Sequence, residues 1–217
     1  MQRRAILGGT FNPPHMGHLA IASTALEQAA LQQVIWVPAG CPPHRALDSL
    51  PEHHHRLEMI RRAIAPYPAF SLSTIECDRP SASYAIYTLG ELQRQYPTSQ
   101  WYWIIGLDAF RTLPRWYRRL ELIPSCTWLV APRAIEAVID PAFTSLCQQV
   151  TQQLISQQIE IQWQLLEMPL VAVSSSLIRQ RYGDRHPIHP LVPTAVQDYI
   201  QQHQLYTSSP NLSPDQG

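Results

Sequence analysis

A doubly wound parallel α/β sheet is what this sequence predicts, on three observations. Short apolar runs of β type alternate with stretches of helical periodicity along most of the chain. The first such run, Ala5-Ile6-Leu7, turns through glycines directly into a helical pattern. Every cluster of chemistry-bearing residues follows the end of an apolar run, and open α/β sheets bind ligands at the carboxyl ends of their strands.

Taken in order, Ala5 to Leu7 is a buried first strand, flanked by Arg3-Arg4. Leu19, Ala22, Leu26 and Ala29 recur at helical spacing and predict a helix over 17–31. Val34 to Val37 is a second strand halted by Pro38, which completes strand–helix–strand. After a loop over 39–50, a helix starts near Pro51 with Leu57, Ile60 and Ile64 on one face. Pro66 and Pro68 end it. Its opening His53-His54-His55 reads as a solvated face. Phe70 to Ile75 alternates as a strand, Ala85, Leu89, Leu92 and Tyr96 share a helical face, and Trp101 to Leu107 is an apolar strand. A short helix over 114–122, a strand over 127–131, a glutamine-rich helix over 141–158 and a last strand or strands within 159–173 follow. Ser174-Ser175-Ser176 is an N-cap cluster for a helix through Arg181, closed at Gly183. A final helix spans 193–202. One domain over 1–206 is expected, its C-terminal helical part at about 174–206, with a disordered Ser- and Pro-containing tail over 207–217.

Composition narrows the function. Sixteen basic and sixteen acidic residues give no net charge, so there is no global footprint for nucleic acid or an anionic membrane. Any anion must be gripped locally. The chain has no lysine, so a phosphate must meet His, Arg, hydroxyls and backbone N–H groups. The cysteines Cys41, Cys77, Cys126 and Cys147 form no CxxC pair, which argues against zinc and against a disulfide framework. No apolar run approaches the roughly 20 residues of a membrane span, and the start lacks a signal-type apolar region. A reduced, cytoplasmic protein is expected.

The densest motif is GGTFNPPHMGHL, Gly8 to Leu19. Gly8, Gly9 and Thr10 turn the chain, Phe11 and Asn12 follow, Pro13-Pro14 stiffen it, and His15 and His18 stand three apart at a helix start. Free N–H groups, a positive dipole end and two imidazoles make a site for a polyphosphate. Neither G-x-G-x-x-G nor GxxxxGK[ST] is present, and no acidic partner stands at zinc-site spacing. VPAGCPPHR offers His44 and Arg45 as a clamp for a second phosphate or as incidental charge in a solvated loop. DRPSASY offers amides around Ser83 and Tyr84 at another helix start. IIGLD brings Gly106 and Asp108 to a strand end, where the carboxylate either accepts from a ribose hydroxyl or caps a helix. Trp116 and Tyr117 are core aromatics or a platform for a flat cationic ring. In SSSLIR, Ser175, Ser176 and Arg179 form a second phosphate cradle.

These motifs carry a resemblance. GGTFNPPHMGHL resembles the (H/T)xGH signature of the nucleotidyltransferase superfamily, and SSSLIR its C-terminal ISSTxIR signature. VPAGCPPHR, SASYAIYTL, IIGLD and Trp116-Tyr117 are similar to the bacterial nicotinate-nucleotide adenylyltransferase branch, over residues 4 to 205. Ala85 and Tyr87 stand where that branch has the Thr and Asp of SYTxDTL, and Ser176 where a Thr is common. The resemblance implies a Rossmann-like nucleotidyltransferase fold and a reaction of ATP with nicotinate mononucleotide to nicotinate adenine dinucleotide and pyrophosphate, in NAD biosynthesis. It implies that His15, His18 and Arg179 stabilise phosphoryl charge, with Ser175 and Ser176 on the β- and γ-phosphates and donors from Thr10 and Phe11. His44 and Arg45 would face the mononucleotide phosphate. Trp116 would stack on the pyridinium, and amides near Ser83, Tyr84 and Tyr117 would take the nicotinate carboxylate. Mg²⁺ would accompany ATP without an all-protein cage. Transfer to nicotinamide mononucleotide or another phosphate, a non-catalytic nucleotide-binding module, and homo-oligomerisation all stay open.

Overall fold

The computed structural model describes residues 1–40, 53–79, 83–132, 141–168 and 172–207. Six strands form one sheet: β1 (Gln2–Gly9), β2 (Gln33–Pro38), β3 (Phe70–Leu72), β4 (Ser99–Gly106), β5 (Thr127–Ala131) and β6 (Gln162–Leu165). Their order is β3-β2-β1-β4-β5-β6, and every pairing is parallel. The strand order reverses between β1 and β4, so the crevice lies beyond Gly9 and Gly106.

Eight α-helices are described: α1 (Met16–Gln28), α2 (His53–Ile64), α3 (Ala85–Gln95), α4 (Leu107–Phe110), α5 (Arg119–Leu122), α6 (Pro141–Ser156), α7 (Ser175–Gly183) and α8 (Thr194–Gln202). Alternation along each strand separates two cores. Ala5, Leu7, Val34, Trp36, Ile104 and Leu129 face one side, where α1, α2, α7 and α8 cover them. Ile6, Ile35, Trp103, Ile105, Trp128 and Val130 face the other, under α3 and α6. Ile178, Val196 and Ile200 of the C-terminal helices thus belong to the same apolar cluster as the central strand.

Several expected boundaries move. β1 begins at Gln2, so Arg3 and Arg4 lie inside it, with the Arg4 guanidinium 4.4 Å from the Tyr96 ring centroid. β3 stops at Leu72 because the chain turns at once: the Cys77 N–H donates to Thr74 O (2.8 Å), and the Thr74 hydroxyl to Asp78 (2.8 Å). The helix expected over 114–122 is split into a 3₁₀ turn, Leu113–Arg115, and α5, with Arg118 left-handed (φ 50°) between them. Among the described residues, the last strand spans 162–165. The histidines at the start of α2 are a solvated face only in part: His54 is exposed, but His55 Nδ1 lies 2.9 Å from the Tyr199 hydroxyl, and His53 Nδ1 lies 3.1 Å from Arg56.

Gly183 does not close α7. It is the last helical residue, and Arg185 takes the left-handed position (φ 58°), with the His186 N–H on Arg181 O (2.8 Å). The same six-to-one closure ends α1 at Ala30, α6 at Gln158 and α8 at Gln204, all non-glycine residues with positive φ. The tail beyond Thr207 and the loop holding Cys41, His44 and Arg45 lie outside the described residues.

Candidate active site

The segment after β1 is folded back on itself. Phe11 is left-handed (φ 49°) and fully buried, and its ring lies over Gly9, where a Cβ would come within 3.0 Å of it. The ring also packs against Trp36 and edge-on to His18, with centroids 5.0 Å away in each case. Gly17 leaves room for His15 in the first turn of α1, since a Cβ there would sit 3.1 Å from its Nδ1. The His15 and His18 rings stack with centroids 3.7 Å apart. The pair is brought together because His15 caps the helix in an extended conformation and His18 lies one turn on.

Burial sets the charge of both rings. It lowers the pKa of His15 from 6.5 to about 4 and holds His18 well below the ordinary value, with His15 adding to the shift. Both are therefore neutral near pH 7. His18 Nδ1 accepts the His15 backbone N–H (3.2 Å), so the neutral His18 ring carries its proton on Nε2. An arriving polyanion would meet a hydrogen-bond donor and would itself favour the protonated form.

The far wall is α7. Ser174 caps it, its hydroxyl accepting from the Leu177 N–H (3.1 Å). Ser175 Oγ donates to Pro13 O (2.9 Å), Arg179 Nη1 to Asn12 O (2.9 Å), and Arg179 Nη2 to Ser176 Oγ (3.2 Å). The two motifs that lie near opposite ends of the chain are thus in direct contact. Asn12, 4% exposed, also accepts the Tyr206 hydroxyl at Oδ1 (2.6 Å). Arg56 donates to Thr10 O (3.1 Å) and Ala39 O (2.9 Å).

The residues expected to serve the acceptor lie across the switch point. Gly106 caps the short helix α4, and Asp108 stands exposed in its first turn rather than at its cap. Tyr84 caps α3 without a side-chain hydrogen bond, which leaves the opening turn to amide donors around Ser83 and Tyr84. The Tyr84 and Tyr117 rings meet at 4.5 Å, and the Tyr87 hydroxyl reaches that of Tyr117 at 3.4 Å. Trp116 is half-buried, its Nε1–H on Thr112 Oγ1 (2.8 Å), its ring edge-on to Trp103 and Trp128. Thr88 is buried and donates to Glu76 (2.6 Å), tying α3 to the turn after β3.

Residues 6–181 match the cytidylyltransferase-like family. The chain is 49% identical over 207 residues to a probable nicotinate-nucleotide adenylyltransferase of Trichormus variabilis, covering 95% of this chain and 98% of the relative. It is 33% identical over 210 residues to the nicotinate-nucleotide adenylyltransferase of Bacillus subtilis, covering 96% and 100%. The chain belongs to the nicotinate-nucleotide adenylyltransferase family. Its fold is shared with the Plasmodium falciparum nicotinic acid mononucleotide adenylyltransferase solved with NaAD, at TM-score 0.74 and 18% identity over 95% of this chain and 98% of that one.

For a member of this family, the motif reading missed two residues that shape the site. Arg56 is 2% exposed with no carboxylate partner among the described residues, and burial pulls its guanidinium below the ordinary value. Its signal was present: it shares the stripe of Met59, Ile60 and Ala63, so a charge stands on an apolar helix face. Tyr206 gave no such signal, since it follows the last helix in a short polar run.

Proposed function

We propose that this site joins ATP to nicotinate mononucleotide, giving nicotinate adenine dinucleotide and pyrophosphate as a step of NAD biosynthesis. The observation that carries the reading is that Ser175 bonds Pro13 and Arg179 bonds Asn12, which sets α7 against the turn leading into the stacked His15 and His18. Full-length similarity to named adenylyltransferases supports it.

The chemistry is in-line attack of a mononucleotide phosphate oxygen on the α-phosphorus of ATP, with the bond to pyrophosphate breaking. The attacking monoester has its second pKa near 6 and is mostly dianionic at neutral pH, so no general base is required. His15 and His18 stabilise charge on the α-phosphoryl group and the leaving pyrophosphate. Arg179, Ser175 and Ser176 hold the β- and γ-phosphates, with donors from the Gly8–Phe11 backbone. Gly106 and Asp108 border the nucleoside. Asn12, Ser83, Tyr84, Trp116 and Tyr117 serve the acceptor, as do His44 and Arg45 from outside the described residues. Catalysis is then positioning plus preorganised dipoles. The cradle's imidazoles, hydroxyls and guanidinium suit phosphate oxygens rather than a hard cation, so Mg²⁺ enters as the ATP complex, held by phosphates and water.

Residues 1–206 act as one unit, since α7 and α8 share the core of the central strands. A reducing, cytoplasmic setting fits the free thiols Cys77, Cys126 and Cys147. Among the described residues, no helix is long and apolar enough to cross a membrane.

Pyrophosphate release measured with nicotinate and nicotinamide mononucleotides side by side tests the reading. Turnover with the nicotinate acceptor in excess is expected. Preference for the amide would replace the acceptor assignment, and no release with either would make the site a binding module.

A further inference from the structure

Arg179 has two tasks that share one guanidinium. Its Nη1 donates to the Asn12 carbonyl and its Nη2 to the Ser176 hydroxyl. Three of its five N–H donors are left for phosphate oxygens, but all five belong to one rigid fork, so any re-aiming toward the β- and γ-phosphates strains the bond to Asn12. That strain would fall at the moment when the backbone over 10–13 must be held still for phosphoryl transfer.

Another clamp acts on the same residue from elsewhere in the chain. The helix α8 ends in a six-to-one closure: the Leu205 N–H bonds Ile200 O (3.0 Å), the Gln204 N–H bonds Gln201 O (3.2 Å), and Gln204 is left-handed (φ 50°). Tyr206, itself at φ 64°, is thereby turned inward onto the core of α1 and α2, and its hydroxyl lands on Asn12 Oδ1 at 2.6 Å. Burial raises the phenol above its ordinary value, although Arg179 and Arg56 oppose the shift, so it stays a neutral donor. Because the carboxamide is planar and its oxygen is committed to Tyr206, its Nδ2 donors are fixed on the opposite side.

We propose that Tyr206 is a positioning residue, anchoring Asn12 so that the phosphate-binding turn keeps its shape when Arg179 moves to the nucleotide. The proposal rests on the reading of Arg179 as a phosphate ligand. It assigns a catalytic consequence to the chain's C-terminal end, which no motif marks.

The test is Tyr206→Phe, which keeps the ring and removes the hydroxyl, assayed alone and on an Asn12→Ala background. The single variant is expected to unfold within a few degrees of the parent, to lose about tenfold in kcat, and to keep its KM for nicotinate mononucleotide within about twofold. On the Asn12→Ala background the same change is expected to cost nothing further. Parental kcat in Tyr206→Phe overturns the proposal, as does an undiminished tenfold loss on the Asn12→Ala background, because Tyr206 would then act through something other than Asn12. Arg179→Ala, assayed alongside, reports on the underlying reading: a fall in kcat/KM for ATP sustains it, and an unchanged value removes it whatever Tyr206→Phe does.

Discussion

The two walls of the proposed site, one for the nucleotide and one for the acceptor, are held by different physics. On the nucleotide wall the polar groups are buried, His15 at 7% and Arg56 at 2% exposure, and the backbone carbonyls of Thr10, Asn12 and Pro13 each take a side-chain donor from a distant element. On the acceptor wall the aromatics stand in water, Tyr87 at 38% and Tyr117 at 48%, joined by ring contacts and one long hydroxyl contact. Stabilising a changing phosphoryl charge needs dipoles that do not reorganise, and burial supplies that. Recognising a flat ring needs only a face, and stacking tolerates small displacements. The contrast predicts that deletions on the first wall cost rate, whereas deletions on the second cost affinity.

The largest expected effect is therefore at His18. His18→Ala should lose on the order of 10²–10³ in kcat while the far-UV circular dichroism and unfolding midpoint stay close to the parent, since α1 keeps its apolar face. Near-parental turnover would break the distinction between the walls. A pH effect on stability follows from the same burial. His15 titrates at about 4 folded against 6.5 when free, so the unfolded chain binds the proton first as pH falls. The stability from keeping it neutral is present above 6.5 and drains away between 6.5 and 4, amounting to about 2 kcal/mol by pH 5. Denaturant midpoints at pH 7 and pH 5 should show His15→Gln losing less on acidification than the parent. Equal losses would mean that His15 is not held neutral by burial.

The walls were also unequally legible in the sequence. On the nucleotide wall, the strand–glycine–helix punctuation and the serine cluster are local signals, and Ser174 caps α7 as its composition suggests. Fold class was legible for a related reason, because alternating apolar runs such as Val34 to Val37 feed both faces of the sheet. What stayed hidden was long-range or backbone-borne. No pattern joins Tyr206 to Asn12, 194 residues apart. The helix ends at Ala30, Gln158, Arg185 and Gln204 use left-handed residues that are not glycine, so the usual stop signal is missing and Gly183 misleads. On the acceptor wall the kink at Arg118 breaks a helix that periodicity alone would continue. Ring neighbours such as Tyr84 and Tyr117 meet only through the fold.

Trp116 tests the acceptor wall at intermediate size. Its indole is fixed by Thr112 and by edge contacts to Trp103 and Trp128. Trp116→Ala removes the platform and leaves the phosphate cradle intact, so the KM for nicotinate mononucleotide should rise about tenfold while kcat and the KM for ATP change by less than about threefold. A fall in kcat of the size expected for His18→Ala would show that the platform also positions the attacking phosphate.

The smallest expected effect sharpens the comparison most, because it repeats one chemical deletion on both walls. Tyr117→Phe removes a hydroxyl that is exposed and meets Tyr87 at 3.4 Å, so water replaces the lost partner and the ring contact with Tyr84 remains. A solvent-satisfied donor costs almost nothing to delete, whereas deleting the donor to a buried acceptor leaves that acceptor unpaired. Tyr117→Phe should then change kcat/KM for nicotinate mononucleotide by less than about twofold, against the tenfold loss of kcat expected from Tyr206→Phe. If the two variants behave alike, burial of the hydrogen-bond partner is not what separates the walls, and the division between a rate-setting and an affinity-setting side fails with it.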